Sequence, residues 1–298
     1  MSDIIHYTQC PVCNSAEIKK VLTARDYTVS QENFTILECS QCTIRFTQDV
    51  PSQNAIAPYY KSENYISHTD TSKGLVNQLY KSVRKRTLVQ KRKLIEKVTG
   101  RATGNLLDVG AGTGSFLNEM KQNNWQVTGL EPDSDARAVA KTLHGIGLQQ
   151  SEILFSLTEN SFDAITMWHV LEHVHSLQEY IAQLKKLLTA NGRLIIAVPN
   201  YTSSDAASYG EYWAAYDVPR HLYHFSPKSM ETLVVKHGLK LIACKPMWFD
   251  SFYVSLLSSK YKNGNTNWIG AGWTGFISNV KAMMNVRKCS SVIYIISK

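Results

Sequence analysis

The sequence lacks several features that would assign it to a special class of protein. No apolar stretch approaches the ~18 uninterrupted residues that a membrane-spanning helix needs. Residues 1–9 have neither the apolar core nor the cleavage site of a secretory signal peptide, so we expect a cytoplasmic protein. With 44% hydrophobic and 19% charged residues, the chain is not a disordered one. Its 298 residues suffice for one large domain or two smaller ones.

Cysteine is scarce, but its spacing is informative. Four of the six cysteines form two Cys-x-x-Cys pairs, Cys10 with Cys13 and Cys39 with Cys42. Each pair can present two thiolates from one tight turn, and two pairs complete a closed tetrahedral zinc site. Strand-like segments between the pairs, at Ile18–Leu22 and Phe34–Glu38, predict a zinc-ribbon module over residues 1–50 whose metal is structural. A thioredoxin-like redox role is disfavoured, because neither pair follows a strand and opens a helix.

The most informative stretch is a glycine-rich turn between a short apolar strand and a helix. Leu106, Leu107 and Val109 predict a buried parallel strand, and glycines follow at alternate positions from 110 to 114. Glycine permits positive φ and lets a ligand approach the bare backbone. A second predicted strand, Gln126–Leu130, ends at Glu131, an acid placed to bind ribose hydroxyls. The arrangement predicts an adenosine-type ligand at the carboxyl edge of a sheet.

Ser115 stands where a dinucleotide-binding turn would carry its last glycine, which disfavours an NAD-dependent oxidoreductase. The segment 108–114 instead resembles motif I of class I S-adenosylmethionine-dependent methyltransferases, Asp/Glu-x-Gly-x-Gly-x-Gly. The resemblance implies S-adenosylmethionine as cofactor and a seven-stranded, doubly wound Rossmann-like sheet. The cofactor-binding residues it implies around the first two strands are Asp108, Gly110, Ala111, Gly112, Thr113, Gly114, Glu131 and Pro132.

The rest of the chain fits an α/β fold in which strands and helices alternate. Helical periodicity runs from about Ser72 to Val98, and further strands are expected at Leu148–Ile153, Phe162–Trp168 and Leu194–Val198. Strands at 239–247 and 291–297 suit the terminal hairpin of the class I fold. We therefore predict a linker and helical arm over 51–100, with Tyr59, Tyr60 and Tyr65 before the helix. The cofactor-binding domain is predicted over 101–298, with an insertion of no clear period at about 249–289.

The segment His169-Val-Leu-Glu-His173 fits a zinc-protease pattern, His-x-x-Glu-His. Its position directly after the predicted fourth strand argues against that interpretation, because a doubly wound sheet has its ligand cleft there. The segment also resembles the element after strand four in class I methyltransferases. By that resemblance, the backbone around Trp168 and His169 contacts the methionine end of the cofactor, while Glu172 and His173 are structural.

Residues 212–225, after the fifth predicted strand, are the candidate acceptor-binding segment, because loops at that edge carry substrate chemistry in this architecture. Histidine has a pKa suited to a general base, so His221 is the first candidate base and His224 the second. An alternative is that the segment only packs as a lid. The predicted substrate-binding side chains are Tyr212, Trp213, Tyr216, Arg220 (as an anion clamp) and Tyr223.

Together, the ribbon, motif I and a His-Leu-x-x-Phe-Ser element at residues 221–226 resemble sugar C-methyltransferases acting on nucleotide-linked deoxysugars. In that family a His-Glu-His-Leu element supplies the catalytic histidine. Here His221-Leu222 matches, whereas Pro219-Arg220 replaces the preceding pair. The 298 residues do not include a counterpart of that family's additional C-terminal domain. The resemblance implies transfer of a methyl group to an oxygen or carbon of a small acceptor, with sugar- or phosphate-bearing molecules as candidates.

Two basic regions leave other partners open. Lysines and arginines cluster over 81–93 and contribute to a net charge of +8. A solvated helix face is the favoured interpretation, and a nucleic-acid-binding face, which would suit an RNA methyltransferase, is the alternative. The 249–289 insertion carries Trp268, Trp273 and Phe276 near lysines and arginines, so peripheral membrane contact or a substrate cover is possible. A non-catalytic zinc- and nucleotide-binding interaction protein is a further alternative, and the sequence does not fix the oligomeric state.

Overall fold

The computed structural model describes residues 3–60 and 75–298, with side chains over 3–60 and 86–298. Tyr65 and the side chains of Lys81, Arg84 and Lys85 lie outside this range. Five short strands occupy the N-terminal region: β1 (Ile4–Ile5), β2 (Ile18–Arg25), β3 (Asn33–Cys39), β4 (Arg45–Thr47) and β5 (Val50–Pro51). A 3-10 turn, Ala57–Tyr60, follows them.

The glycine turn lies in the next set of elements. These are α1 (Leu75–Thr99), β6 (Asn105–Val109), α2 (Ser115–Gln122), β7 (Gln126–Leu130), α3 (Ser134–His144) and β8 (Phe162–Trp168). The predicted bounds of the strands Gln126–Leu130 and Phe162–Trp168 are confirmed. The side chain of Asp133 caps α3 by accepting the N–H of Ala136 at 2.7 Å.

The C-terminal elements begin with a 3-10 turn, Leu171–His173. The helices and strands after it are α4 (Leu177–Leu187), β9 (Leu188–Pro199), α5 (Ser204–Tyr209), β10 (Tyr223–His224), α6 (Pro227–Lys236), β11 (Lys240–Pro246), α7 (Asp250–Asn263), α8 (Trp268–Met284) and β12 (Ser291–Ser297). Three further 3-10 turns cover Gly210–Tyr212, Ala214–Tyr216 and Val286–Lys288.

The described strands form three sheets. The largest has the order β11-β12-β9-β8-β6-β7, and β6 pairs in parallel with both β7 and β8. This arrangement confirms the α/β, Rossmann-like fold class. The expected strand at Leu148–Ile153 is wrong: a single bridge joins Gln149 to Leu130, and a 3-10 helix, Ser151–Ser156, follows. The sheet therefore has six strands within the described residues instead of seven.

The two smaller sheets involve the N-terminal region. β1 pairs with β5, and a four-stranded sheet has the order β10-β4-β3-β2. The strand predictions at 18–22 and 34–38 are confirmed within longer strands. Strand β10 was not predicted from the sequence, because only two residues, Tyr223 and His224, pair with β4.

The chain divides into two compact units. The first, which we call the cysteine unit, comprises Met1–His68, Leu171–Gln178 and Ala197–Tyr294. The second, the glycine-turn unit, comprises Thr69–Val170, Glu179–Ile196 and Ile295–Lys298. The predicted module boundaries at 50 and 100 remain a prediction about independent folding.

The core of the cysteine unit joins its N-terminal strands to residues distant in sequence. Ala24, Phe34 and Ile36 on β2 and β3 pack in one buried cluster with side chains from α5 and the two turns after it. These partners are Ala206, Tyr209, Trp213, Ala215, Tyr216 and Val218. The face of β2 and β3 is therefore buried by the predicted acceptor-binding segment.

Residues 249–289 differ from the expectation of a segment without period, because α7 and α8 form a helical pair there. The buried positions of both helices are small residues, while large apolar side chains are exposed. A search for apolar residues on the buried face therefore finds no helical period.

Candidate cofactor, thiol and histidine sites

The glycine turn in the glycine-turn unit is held by backbone hydrogen bonds to the end of β7. The N–H groups of Gly110 and Ala111 donate to the carbonyl of Leu130 at 2.8 and 2.9 Å. Gly110, Gly112 and Gly114 have φ values of 74°, 53° and 73°. A Cβ at Gly112 would meet nothing within 4 Å, so this part of the turn presents open backbone.

Two carboxylates flank the turn. Asp108 on β6 is 2% exposed, and the hydroxyl of Thr166 on β8 donates to it at 2.6 Å. Burial raises the pKa of Asp108 to about 7, and nearby Glu131 acts in the same direction. The Glu131 carboxylate accepts the N–H groups of Gly112 at 2.7 Å and Asp133 at 3.1 Å. Burial also raises the pKa of Glu131, although these two donors oppose the shift.

The neighbouring positions support the same turn. The Thr113 and Ser115 hydroxyls lie 3.3 Å apart, and the Pro132 carbonyl accepts a hydrogen bond from Arg137 at 2.7 Å. Glu131 and Pro132, which directly follow β7, are therefore held in a fixed geometry. The structure brings the first eight predicted cofactor residues together at the ends of β6 and β7.

Trp168 is the last residue of β8, and His169 follows it. The Trp168 indole makes an edge contact with Phe116 and lies 4.1 Å from the Lys91 ammonium, measured to the ring centroid. Its Nε1 is buried and has no hydrogen-bond partner among the described residues. His169 has φ 58°, a left-handed conformation that is uncommon for a residue other than glycine. Strained backbone and an orphaned donor beside a nucleotide-type turn fit a ligand-binding role.

The chemistry of these groups fits S-adenosylmethionine. Carboxylates can accept ribose hydroxyls and attract the ligand's ammonium group, and the exposed turn backbone can approach it closely. Sequence reasoning missed Thr166, Lys91 and Phe116. Thr166 is the polar residue within the otherwise apolar run 164–168 of β8, and this was the one signal available for it.

The four predicted metal-ligating thiols lie together in the cysteine unit. The Sγ atoms of Cys10 and Cys42 are 3.5 Å apart, as are those of Cys13 and Cys39, and all four lie within 4.8 Å of one another. All six cysteines lie in the described residues and form no disulfide. Zinc–sulfur bonds of about 2.3 Å in a tetrahedron require sulfur atoms about 3.8 Å apart. The thiols therefore fit a four-coordinate zinc ion.

His221, the first candidate base, lies beside His173 in the cysteine unit, with ring centroids 4.5 Å apart. The Nδ1 of His221 is 2.9 Å from the Ala215 carbonyl, and that of His173 is 3.0 Å from the Arg220 carbonyl. Since carbonyl oxygens only accept, each Nδ1 carries a hydrogen and each neutral ring has its lone pair on Nε2. Burial, helped by His221, lowers the pKa of His173 to about 4.

Two acidic side chains accompany these rings. An Asp217 oxygen lies 3.9 Å from His221 Nε2, close enough to stabilise a protonated ring. Ligand atoms of Glu172, His173 and His221 lie within 4.8 Å of one another, so the group could also hold a cation. The Tyr60 hydroxyl lies 3.0 Å from His173 Nδ1. Tyr60, predicted to precede the helical arm, thus reaches the histidine pair.

The zinc-protease pattern at 169–173 does not form a helix. His169 is in the left-handed region, and Leu171–His173 is a 3-10 turn. Two histidines four residues apart share a face only on a continuous α-helix. His173 was predicted to be structural. Its proximity to His221 could not be predicted from the spacing of residues in the sequence.

His224, the second candidate base, is 3% exposed within β10. Its Nε2 lies 3.1 Å from the Thr47 hydroxyl, and its Nδ1 has no hydrogen-bond partner among the described residues. Burial holds its pKa well below the ordinary value, with His221 and Arg45 acting in the same direction. Its catalytic role stays a prediction and is less well supported than that of His221, which is 8% exposed.

Arg220, predicted as an anion clamp, has its guanidinium engaged within the cysteine unit. Its side chain is fully buried, and its guanidinium donates to Asp217, to Asp26 and to the carbonyl of Tyr59. These contacts engage all five N–H donors of a guanidinium. Burial alone would raise the pKa of Asp26 and of Asp217, but the Arg220 hydrogen bonds hold both pKa values below the ordinary one. Arg220 therefore serves the interior of the cysteine unit.

Three of the predicted substrate-binding aromatics are also structural. Trp213 is 2% exposed and donates its Nε1 hydrogen to Asp205 at 2.9 Å. The hydroxyl of Tyr216 accepts from Arg45, and that of Tyr223 donates to the carbonyl of His175. Tyr212 is only half-buried, with its ring centroid 6.3 Å from that of Tyr27. Among the five predicted side chains, Tyr212 is the one that stays open to a substrate role.

The cysteine-bearing strands hold the histidine segment directly. Thr47 on β4 donates its hydroxyl to the His221 carbonyl at 2.8 Å, and β4 pairs with β10. Thr43, next to Cys42, has its hydroxyl 2.7 Å from that of Ser226. A change in the geometry of the thiol turns would therefore be transmitted to the backbone of His221 through few hydrogen bonds.

Residues 80–243 match a family described as a methyltransferase domain, and this span covers more than half of the 298 residues. The chain belongs to this methyltransferase family. Curated relatives include uncharacterized methyltransferases of Bacillus cytotoxicus and Bacillus mycoides, each 26% identical over 117 residues. Each match covers 38% of this chain and 55% of the relative, so the chain spans about half the length of the curated relatives it matches.

Solved methyltransferase structures are similar in fold to this family member. One, an S-adenosylmethionine-dependent methyltransferase from Archaeoglobus fulgidus, has a TM-score of 0.48 and 18% identity, over 72% of this chain and 94% of that one. Another, the geranyl diphosphate C-methyltransferase of Streptomyces coelicolor, has a TM-score of 0.47 and 12% identity, over 72% of this chain and 81% of that one.

Proposed function

We propose that the protein is an S-adenosylmethionine-dependent methyltransferase that acts on an oxygen or carbon of a small acceptor, with sugar- or phosphate-bearing molecules as the candidate class. The observation that carries this proposal is the open glycine turn flanked by Asp108 and Glu131. When bound, S-adenosylmethionine supplies an electrophilic methyl group. Membership of the methyltransferase family supports the same activity.

Within the proposal, Glu131 binds the ribose hydroxyls, because two backbone N–H groups fix its carboxylate in place. Asp108 attracts the positively charged amino end of the cofactor. Trp168 Nε1, which is buried without a hydrogen-bond partner among the described residues, is a further candidate donor. The backbone of Gly112 allows close approach.

His221 is the proposed general base. Its Nδ1 hydrogen is held by the Ala215 carbonyl, which leaves Nε2 to accept a proton from the acceptor. The nearby Asp217 carboxylate stabilises the protonated ring. His173 is positioned beside it and, with its pKa lowered to about 4, stays uncharged at neutral pH. An uncharged neighbour avoids repulsion when His221 takes up the proton.

We further propose that Cys10, Cys13, Cys39 and Cys42 hold one structural zinc ion. Four cysteine ligands leave no open coordination position, so the metal would stabilise the fold without entering the chemistry. The distances among the thiols support this role.

Cofactor binding is tested by calorimetry with S-adenosylhomocysteine and NADH on the purified full chain. We expect binding of the former alone. Binding of NADH without S-adenosylhomocysteine would end the methyltransferase proposal and revive the oxidoreductase. Binding of neither would favour a non-catalytic interaction protein.

The base is tested by substituting His221 and measuring transfer from labelled S-adenosylmethionine into a panel of nucleotide-linked sugars. His221→Asn keeps a donor for the Ala215 carbonyl but removes the base, so turnover should fall by about 10²–10⁴-fold. S-adenosylhomocysteine affinity should be unchanged. His6→Ala, at an exposed histidine paired with Asp49, is the matched control. Retained turnover in His221→Asn would transfer the role to His224 or remove base catalysis.

The RNA methyltransferase alternative receives little support from the basic segment. Lys91 lies over the Trp168 ring, and Arg92 pairs with Glu96 at 2.6 Å and Glu119 at 2.9 Å. The side chains of Lys91 and Arg92 are therefore engaged in contacts within the protein. Salt-sensitive retention of RNA by the full chain would favour this alternative, and an absence of retention would remove it.

A further inference from the structure

The pair of helices α7 and α8, which we call the 250–284 hairpin, has an inverted distribution of side chains. The buried positions on α8 are Ala271, Gly275, Ser278 and Ala282, and those on α7 are Ser251, Ser255, Ser258 and Ser259. Helices of water-soluble proteins bury their large apolar side chains instead. This hairpin therefore packs through small residues.

Large apolar side chains occupy the opposite face of α8. Their exposures are Trp268 72%, Ile269 88%, Trp273 65%, Phe276 49%, Val280 37%, Met283 75% and Met284 86%. At about 100° of rotation per residue, these positions fall within one stripe about 160° wide. Trp248, Phe249 and Tyr253 add exposed aromatic rings near the start of α7. Scattered exposed apolar residues are ordinary, but a continuous stripe of this kind marks an interaction surface.

The contacts inside the hairpin are close and polar. A Cβ on Gly275 would lie 3.1 Å from the Cα of Phe252, so the two backbones approach as nearly as glycine permits. The Ser251 hydroxyl lies 3.2 Å from the Gly275 carbonyl and 3.0 Å from the Asn279 side-chain oxygen. Close packing through small residues, with hydroxyls as hydrogen-bonding groups, is how helices associate where large apolar side chains face lipid.

The charges of this region favour an anionic surface. Residues 249–289 contain Lys260, Lys262, Lys281, Arg287 and Lys288, with Asp250 as the sole acidic residue. All five basic residues are exposed, and Arg287 lies 3.7 Å from Glu231. Tryptophan beside lysine is typical of segments that lie in the interface of a bilayer. Two copies of a surface with this excess of cations would repel one another, which disfavours self-association.

Among the helices that the structure describes, none is long and apolar enough to cross a membrane. We propose that the 250–284 hairpin docks on the surface of a bilayer containing anionic phospholipids, with the α8 stripe in the interface and the lysines at the headgroups. This inference is independent of the proposed methyl transfer, because it concerns a different surface of the cysteine unit.

Flotation of the full chain with vesicles tests the inference. We expect retention on phosphatidylcholine vesicles that contain phosphatidylglycerol and much weaker retention on phosphatidylcholine alone. Trp268→Ser/Ile269→Ser/Trp273→Ser should lower retention by at least about tenfold, because it removes three large exposed apolar side chains, two of them tryptophans, from the stripe. The matched control is Leu143→Ser/Ile242→Ser, at positions 66% and 49% exposed outside the hairpin.

Circular dichroism and thermal unfolding of each variant establish that it is folded. A second variant, Lys260→Gln/Lys262→Gln, keeps the apolar stripe. It should weaken retention on vesicles that contain phosphatidylglycerol and leave retention on phosphatidylcholine vesicles unchanged. The inference is overturned if the wild-type chain does not float with anionic vesicles, or if the triple variant floats as well as the control. Concentration-dependent dimers that the triple substitution abolishes, without vesicle binding, would assign the stripe to a second copy of the chain.

Discussion

Replacing Asp108 by Asn should raise stability at alkaline pH while weakening cofactor binding. Burial raises the pKa of Asp108 in the folded protein to about 7, against about 3.9 for an unfolded chain. Because the folded pKa is the higher one, ionisation of Asp108 opposes folding. The penalty is absent below pH ~4, grows as the pH rises from ~4 to ~7, and is constant above that window.

The size of the penalty follows from the shift. About three pKa units correspond to about 4 kcal/mol in the free energy of unfolding at pH 8. Asn can still accept the hydrogen bond from Thr166, but its buried N–H₂ group needs partners, and leaving it without them costs about 1–3 kcal/mol. We therefore expect Asp108→Asn to be about 1–3 kcal/mol more stable than the wild type at pH 8. At pH 4, where the wild-type carboxyl is protonated, this electrostatic gain should vanish.

Urea unfolding of the wild-type and variant chains across pH 4–8 measures this difference, and calorimetry with S-adenosylhomocysteine measures affinity. Losing the carboxylate should weaken binding by at least about tenfold, since a charge-assisted hydrogen bond contributes about 1.5–3 kcal/mol. Thr166→Val is the control, because it removes the hydroxyl but keeps the acid. The reasoning is refuted if Asp108→Asn loses stability at pH 8, or if its stability gain is the same at every pH.

Three further predictions concern the metal site, the buried Arg220 and the packing of strand β7. Elemental analysis should find one zinc ion per chain, and its removal by a chelator should abolish turnover while S-adenosylhomocysteine still binds. If the chain instead holds two metal ions and replacing Glu172 removes one of them, His221 would be a metal ligand and not a base. Arg220→Met should cost about 3–5 kcal/mol in urea unfolding by leaving Asp26 and Asp217 uncompensated, against about 0–1 for Arg101→Met at a half-exposed pair with Asp163. Gly129→Ala should lower the melting temperature, because its Cβ would collide with Leu117 and Leu148, whereas Gly147→Ala, with open space, should not.

The strands and the glycine turn of the proposed cofactor region could be predicted because their signals are local. A buried strand, positive-φ glycines and an acid after the next strand all lie within residues 105–132, so their spacing determines their geometry. The paired thiols could be predicted for a similar reason, since each Cys-x-x-Cys turn forms by itself. The expected strand at 148–153 failed because a single bridge ends the ladder at Gln149.

The histidine region could not be predicted, because its partners are distant in sequence. One of the two carboxylates that bind Arg220 belongs to Asp26, which no pattern around residue 220 indicates. His173 and His221 meet only in the folded unit. The 250–284 hairpin was missed for a different reason: its buried face is small and its exposed face apolar, so the usual sign of a soluble helix is reversed.

The thiol turns and the proposed base are connected by a short series of hydrogen bonds and strand pairs. Cys42 is followed by Thr43, which contacts Ser226, and by β4, whose Thr47 holds the carbonyl of His221. Four thiols held by a metal would fix the start of β4 and, through β4 and β10, the backbone at and directly after the histidine. The Nδ1 bond to Ala215 then sets the direction of the ring. A structural metal can thereby fix the orientation of a base without contacting a substrate. Chelation should therefore lower turnover and leave cofactor affinity in the glycine-turn unit unchanged.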